Sequence, residues 1–317
     1  MKIDRITQSR LQASQIAEMD LIIACCGYEQ RSVSLMQYYG NEINAIPNKC
    51  AIVYNSPECK EIEDNETIFK QYDFSLVKVS PQESFLKIKE LIEKFFKRIN
   101  GKERCNVLVD YSSMNREWYS AIILYLEQYN PSASSYLDCV FYYSIPKYDG
   151  EIDQQYAFSS VKPLEGYTSF FMPDKPLSLF IGLGSEERAL NGIRQYADVA
   201  PSYVHYFYTC NEHIFSQNNT YKSMFDSINE ANKHVYDLQK MVPLFNTMTD
   251  LYKMLNPNYR VTIISCGPKP FTLLSLIFAR IFSVDVWKLE TNISSHIVNK
   301  IPTGENVTFQ FTYKSPM

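Results

Sequence analysis

The chain has 317 residues, of which 45% are hydrophobic and 21% charged, and it carries a formal net charge of −4. This composition is typical of a globular protein, and the length predicts two domains of ordinary size. The pI of about 5.7 excludes the broad positive surface expected of a protein that binds duplex nucleic acid. A few cations in one cleft would still suffice for a small anionic ligand.

The sequence also indicates where the protein resides. Its longest strongly apolar stretch, residues 271–282, is interrupted by Arg280 and is shorter than the roughly 20 residues of a membrane span. The first residues lack the apolar core of a signal peptide, and the eight cysteines include no Cys-x-x-Cys pair. We therefore expect a cytoplasmic protein without membrane attachment, whose cysteines are reduced and act as small hydrophobes.

Apolar runs typical of buried strands alternate with helical patterns in the first half. Strands are predicted at 21–25, 51–55, 75–79, 105–110 and 137–143. The clearest helix lies between the third and fourth strands, where apolar residues recur at helical spacing from Ile88 to Ile99 after the start signals Ser80 and Pro81. This alternation predicts an α/β fold with a mostly parallel sheet covered by helices.

The second half repeats this order. Strands are predicted at 177–183, 203–209, 234–238, 260–265 and 284–289, and helices at 242–255 and 271–282. Corresponding landmarks keep a nearly constant offset: Glu29 and Glu186 are 157 positions apart, and Asp110 and Ser265 are 155 apart. We interpret the chain as a tandem duplication of a Rossmann-like unit, with domains at residues 1–165 and 174–317. Each half ends in further strand-like sequence, at 154–161 and 306–313, which suggests an antiparallel edge hairpin.

A Gly-x-Glu-x-Arg motif follows the first strand of each half. The two copies are Gly27, Glu29 and Arg31, and Gly184, Glu186 and Arg188. In open parallel sheets, ligands bind outside the carboxyl ends of the strands, where helix amides and an arginine fork favour an anion. The alternative is that Glu and Arg only cap and solvate the first helical turn. The segment at 182–187 lacks the third glycine of a dinucleotide fingerprint.

A second polar loop, "VDYSSMNREW", follows the fourth strand of the first half. Its candidate residues are Asp110, Ser112, Ser113, Asn115 and Arg116. Asp110 is a candidate catalytic carboxylate together with Glu29, and the Ser and Asn side chains can donate to phosphate or ribose oxygens. Arg116, in the first helical turn, opposes the helix dipole, which favours an anionic partner. A simple helix cap with Glu117 in a capping box is the alternative.

The equivalent loop of the second half, "SCGPKPF", has no carboxylate. Ser265, Gly267 and Lys269 are candidate anion-binding residues, and a proline-stiffened helix start is the alternative. Cys266 is a weak candidate nucleophile, because the sequence places no histidine beside it.

Other chemistry has little support in the sequence. The four histidines form no ligand pattern, and Cys210 and His213 make a single Cys-x-x-His fragment without a second pair. No Gly-x-Ser-x-Gly elbow supports a serine nucleophile. No metal is predicted, and the sequence leaves the identity of any cofactor open. Three aromatic residues flank the first-half loops and are candidates for stacking on a base: Tyr28, Tyr111 and Trp118.

At the level of fold alone, the two-half plan resembles nucleotide-sensing domains of prokaryotic defence systems, two-domain glycosyltransferases and nucleotide-modifying enzymes. The favoured hypothesis is a sensor or regulatory component that binds a phosphorylated, nucleotide-like small molecule in the first half. One alternative is a hydrolase or transferase acting on such a substrate, with Asp110 or Glu29 as general base. Another is a non-catalytic interaction subunit with a protein partner or as a homodimer.

Overall fold

A computed structural model gives the fold, and it describes residues 2–55, 59–80, 83–98, 102–128, 136–147, 157–169, 174–184, 193, 197–210, 228–292 and 300–315. The strands are β1 (Lys2–Gln8), β2 (Leu21–Cys26), β3 (Lys49–Tyr54), β4 (Ser75–Val79), β5 (Arg104–Asp110), β6 (Tyr136–Pro146), β7 (Ala157–Pro163), β8 (Leu177–Gly182), β9 (Val204–Thr209), β10 (Lys233–Tyr236), β11 (Arg260–Ser265), β12 (Asp285–Asn292) and β13 (Pro302–Lys314). The main helices are α1 (Ala13–Ala17), α2 (Ser34–Asn44), α3 (Lys60–Gln71), α4 (Ser84–Phe96), α5 (Arg116–Gln128), α6 (Met241–Leu255) and α7 (Lys269–Phe282).

Two sheets with the same internal strand order organise these elements. The first has the order β1-β13-β6-β5-β2-β3-β4, and the second β10-β9-β8-β11-β12-β7. In each, five successive strands pair in parallel, and β2 to β6 of the first correspond in order to β8 to β12 of the second. The predicted fold class is therefore confirmed: two mostly parallel sheets flanked by helices. The shared order supports the interpretation that the halves arose by duplication.

The buried strands explain why the sequence indicated the sheets so clearly. All six residues of β2 are buried, as are five of the six in β3. A strand that is covered on both faces needs apolar residues at every position, so its sequence forms a continuous run and does not alternate.

The edge strands are exchanged between the halves. The strand-like sequences at the end of each half are antiparallel as predicted. However, β7 pairs with β12, where Val161 faces Leu289, and β13 pairs with β6, where Phe309 faces Phe141. The predicted hairpin within each half is therefore not formed. β1, which the sequence did not predict, adds a further antiparallel strand beside β13.

This exchange decides which segments form each compact unit. Met1–Lys147 and Ile297–Met317 form the first unit, and Tyr148–His296 forms the second. The units differ from the predicted domains, 1–165 and 174–317, at two segments. The segment containing β7 joins the second unit, and the final segment containing β13 returns to the first.

Each unit has its own apolar core. In the first, Ile22, Ala24 and Val53 pack with Leu35 and Phe69 from α2 and α3. In the second, a separate cluster includes Leu179, Ile181 and Val204. Among the described residues, none of the helices combines the length and apolar character needed to cross a bilayer.

Candidate functional site

The carboxyl ends of β2 and β5 meet in the centre of the first sheet. β2 is flanked by β3 on one side and by β5 on the other, so the chain order reverses there, as it does at the ligand-binding crevice of open α/β sheets. The Gly-x-Glu-x-Arg loop follows β2, and the Asp110 loop follows β5. The two loops are therefore neighbours.

Gly27 lets the two loops come into contact. A Cβ atom added at Gly27 would lie 3.0 Å from the Cβ of Ser113, closer than side chains normally pack. The Gly27 N–H donates to Ser32 Oγ at 3.1 Å, and that hydroxyl donates to the Cys25 carbonyl at 2.6 Å. These bonds close the turn after β2 on itself.

Glu29 and Arg31 form a buried ion pair within this turn. Arg31 Nε donates to Glu29 Oε2 at 2.6 Å, and Arg31 is 1% exposed and Glu29 6% exposed. The guanidinium also donates to the Ser144 carbonyl at 3.2 Å and lies 5.1 Å from the centre of the Tyr143 ring. Burial opposes the charge on Arg31, but Tyr143 and Glu29 outweigh it and raise the pKa of Arg31. The arginine is thus enclosed and charged.

Glu29 connects three separate segments of the chain. Its Oε2 also accepts a hydrogen bond from Ser113 Oγ at 3.2 Å, and its Oε1 lies 4.0 Å from Lys300 Nζ. The Arg31 N–H donates to the Lys300 carbonyl at 3.3 Å. Glu29 stands at the start of a short 3-10 turn, but its side chain makes no capping hydrogen bond. The simple cap alternative therefore does not describe Glu29.

The loop after β5 is tied into the same network. Asp110, 2% exposed, accepts the Ser112 N–H at 3.0 Å through Oδ1. The Ser112 hydroxyl in turn accepts the Ser144 N–H at 2.8 Å, which joins this loop to the end of β6. Tyr54 donates its hydroxyl to the Ser113 carbonyl at 3.0 Å. Ser112 therefore joins this loop to β6, and Ser113 joins it to Glu29.

Asn115 and Arg116 begin α5. Asn115 Oδ1 accepts the Trp118 N–H at 2.8 Å, which is the geometry of a helix N-cap. The cap alternative therefore describes Asn115. Arg116 is the first residue of the helix and is partly exposed. Among the predicted residues of this loop, Arg116 is the cation that reaches the surface.

Two of the three aromatic candidates for base stacking lie in the core. Tyr111 and Trp118 are 0% and 1% exposed, and Trp118 stacks on Tyr54 with ring centroids 4.3 Å apart. Their rings pack beneath the loops and are not open to a base. Tyr28 remains partly exposed.

The second unit repeats the contact between loops. Gly184 lies just after β8, whereas Glu186 and Arg188 lie outside the described residues. A Cβ atom at Gly267 would lie 3.1 Å from the Leu183 carbonyl oxygen, so glycine again permits two loops to meet.

Ser265 is fully buried, and its hydroxyl is hydrogen-bonded to Thr272 Oγ1 in α7. It therefore faces the protein interior. Lys269, the first residue of α7, is partly exposed. Cys266 is buried.

Sequence reasoning missed three residues of the first site: Tyr143, Ser144 and Lys300. The first two end a strand that was predicted from its apolar run, so they gave no separate signal. Lys300 precedes β13 and reaches the site only because that strand returns to the first sheet. No local motif could have indicated it.

Within the described part of the chain, no group of three or more His, Cys, Asp or Glu side chains has the arrangement of a metal site. Two histidines do meet in the second unit: His205 Nδ1 and His234 Nε2 lie 3.1 Å apart. Burial raises the pKa of Cys26 and of Cys50 to about 12, so neither is a reactive thiolate at neutral pH.

No family model and no curated protein matches the chain. Among solved structures, it is similar to a presumed universal stress protein from Pseudomonas aeruginosa UCBPP-PA14. The two are 10% identical, the match covers 87% of this chain and 95% of the other, and the TM-score is 0.26. So distant a likeness gives no information on function.

Proposed function

We propose that the first unit binds a phosphorylated, nucleotide-like small molecule at the carboxyl ends of its strands, and that the protein acts as a sensor or regulatory component. The observation that carries this proposal is the polar network joining the loops after β2 and β5 through Glu29, Arg31 and Ser113. It occupies the crevice where open α/β sheets bind their ligands.

The buried ion pair is the reason for preferring a ligand site to a set of helix caps. Removing two charges from water costs several kcal/mol per ion, and apolar residues of similar size are often as stable or more so. Asn115 caps α5. The additional pair of Glu29 and Arg31 is therefore better explained by the shape and charge that it gives the crevice.

The cations suited to a phosphate are Lys300 and Arg116. The Lys300 side chain is 41% exposed, and Arg116 is partly exposed at the start of α5. Arg31 is a positioning residue in this scheme, because its guanidinium is already used by Glu29 and the Ser144 carbonyl. It holds the turn that carries Glu29 in place.

Binding without turnover is favoured over hydrolysis or transfer. A general base needs a lone pair within hydrogen-bond reach of the substrate proton. Glu29 Oε2 already accepts hydrogen bonds from Arg31 and Ser113, and Arg31 opposes protonation of this carboxylate. Asp110 Oδ1 accepts the Ser112 N–H.

The test is calorimetry of the full chain with adenine and guanine nucleotides and with cyclic dinucleotides. A charge-assisted hydrogen bond is worth about 1.5–3 kcal/mol, so Arg116→Ala and Lys300→Ala should each weaken binding about 10- to 100-fold. Arg98→Ala, an exposed arginine of the same unit, is the control and should bind like the wild type. Wild-type affinity in the Arg116→Ala, Lys300→Ala double variant would refute the proposed site. Chromatography of the recovered nucleotide would reveal any turnover.

A further inference from the structure

A cavity lies elsewhere in the first unit, away from the proposed nucleotide site. It is a groove of about 270 Å³, lined by residues of β1, β13, β6 and β5, with Gln15 of α1 and the following Glu18 and Met19. The groove involves Arg104 and Asn106 in the first half of β5, whereas the proposed nucleotide site lies at Asp110, where that strand ends. The two sites are therefore separate.

The floor of the groove is a polar row that crosses four strands. Arg5 lies opposite Thr312, Thr312 opposite Asp138, and Asp138 opposite Asn106. Directly opposed residues of neighbouring strands share a face of the sheet. In α/β proteins, sheet faces are normally apolar because helices cover them. A polar row on this face indicates a surface that receives a polar ligand.

Two of the charges in the groove balance each other. Asp138 accepts a hydrogen bond from Thr312 Oγ1 at 2.6 Å and pairs with Arg104 at 2.5 Å. The Arg104 guanidinium also lies 4.8 Å from the centre of the Tyr136 ring. This arginine and this carboxylate are thus held in place as a neutral pair.

The other two charges, Arg5 and Glu18, have no such balance. Both line the groove, yet neither side chain forms a hydrogen bond or ion pair with any residue in the described part of the chain. Arg5 belongs to β1, and Glu18 follows α1. The cavity therefore carries one cation and one anion from different elements, which are not paired with each other.

We propose that this groove binds a small zwitterion of the α-amino-acid type. Its carboxylate would lie on Arg5, whose planar fork suits a carboxylate, and its ammonium group would lie on Glu18. A simple anion fits less well, because the charges of Arg5 and Arg104 are matched in number by those of Glu18 and Asp138. The volume suits a ligand smaller than a drug-sized molecule, for which pockets span about 300–1,000 Å³.

The experiment is calorimetry of the full chain with each of the twenty L-α-amino acids. The tightest binder is then compared with its amide, which lacks the carboxylate, and its N-acetyl form, which lacks the ammonium group. At least one amino acid should bind, and both modified forms should bind at least tenfold more weakly. Arg5→Gln and Glu18→Gln should each cause a similar loss for the unmodified ligand.

The pattern of losses identifies the partner of each charge. Arg5→Gln should leave the already weak binding of the amide unchanged, and Glu18→Gln should leave that of the N-acetyl form unchanged. Arg10→Gln and Glu63→Gln replace exposed residues outside the groove and should bind as the wild type does. The proposal is overturned if no amino acid binds more tightly than about 1 mM, or if the Arg5→Gln, Glu18→Gln double variant keeps wild-type affinity.

Discussion

The buried pair of Glu29 and Arg31 offers a quantitative test of how the first site is built. Arg31→Met keeps the apolar stem but removes the guanidinium. Glu29, 6% exposed, would then keep the Ser113 hydrogen bond and a distant cation, Lys300, at 4.0 Å. Removing one partner of a buried pair costs about 3–5 kcal/mol. Because Lys300 offsets part of the lost charge, we expect a loss of about 3 kcal/mol in the free energy of unfolding of the first unit.

The double variant Glu29→Gln, Arg31→Met distinguishes the effect of an unpaired buried charge from the effect of lost packing. Without either charge, no uncompensated carboxylate stays buried, and the Gln amide can still accept the Ser113 hydroxyl. The double variant should therefore be more stable than Arg31→Met alone by about 2 kcal/mol. This recovery would show that the stability lost in Arg31→Met comes from the unpaired, buried carboxylate of Glu29 and not from lost packing.

The chain contains two tryptophans, one in each unit, which makes the measurement direct. Trp118 is buried against Tyr54 in the first unit, and Trp287 lies in β12 of the second. In a Trp287→Phe background, fluorescence during urea unfolding reports the first unit alone. The account of the site would be refuted if Arg31→Met changed the unfolding free energy by less than about 0.5 kcal/mol, or if the double variant were less stable than Arg31→Met.

Two further predictions concern packing and pH. Gly27→Ala should destabilise the first unit by about 1–3 kcal/mol in the same assay, because the new methyl would lie 3.0 Å from Ser113 Cβ; unchanged stability would show that the loops can separate freely. In the second unit, burial lowers the pKa of His205 and of His234, and His205 adds to the shift of His234, whose pKa falls from 6.5 to about 4. The unfolded chain then binds more protons between these values, so stability should be full above about pH 6.5 and fall as the pH drops towards 4. In a Trp118→Phe background, Trp287 emission during urea unfolding at pH 7 and pH 4.5 should show this loss, and an equal loss in His234→Phe would contradict it.

The sequence predicted the parallel strands well because burial on both faces constrains every residue. β2 and β5 appear as apolar runs, and the loops after them were recognised from their polar residues. The two loops lie close together because the chain order reverses between β2 and β5. A Cβ atom added at Gly27 would lie 3.0 Å from the Cβ of Ser113, which shows how closely the loops approach each other.

What the sequence did not predict depends on contacts between distant parts of the chain. β7 pairs with β12, and β13 pairs with β6. Local sequence patterns do not indicate which strand an edge strand pairs with. Lys300 reaches the site because β13, the strand that follows it, pairs with β6 in the first sheet. The burial of Arg31 was also unexpected, because a charged residue is ordinarily exposed. Its enclosure requires Ser144 and Tyr143 near the end of β6.

Native mass spectrometry of the full chain tests the proposed nucleotide site most directly. The protein would be measured as purified and after addition of adenine nucleotides, guanine nucleotides or cyclic dinucleotides. We predict a mass increase equal to one bound nucleotide, retained in Arg98→Ala and lost in the Arg116→Ala, Lys300→Ala double variant. The absence of an adduct with every nucleotide, or an adduct that persists in the double variant, would contradict the proposal.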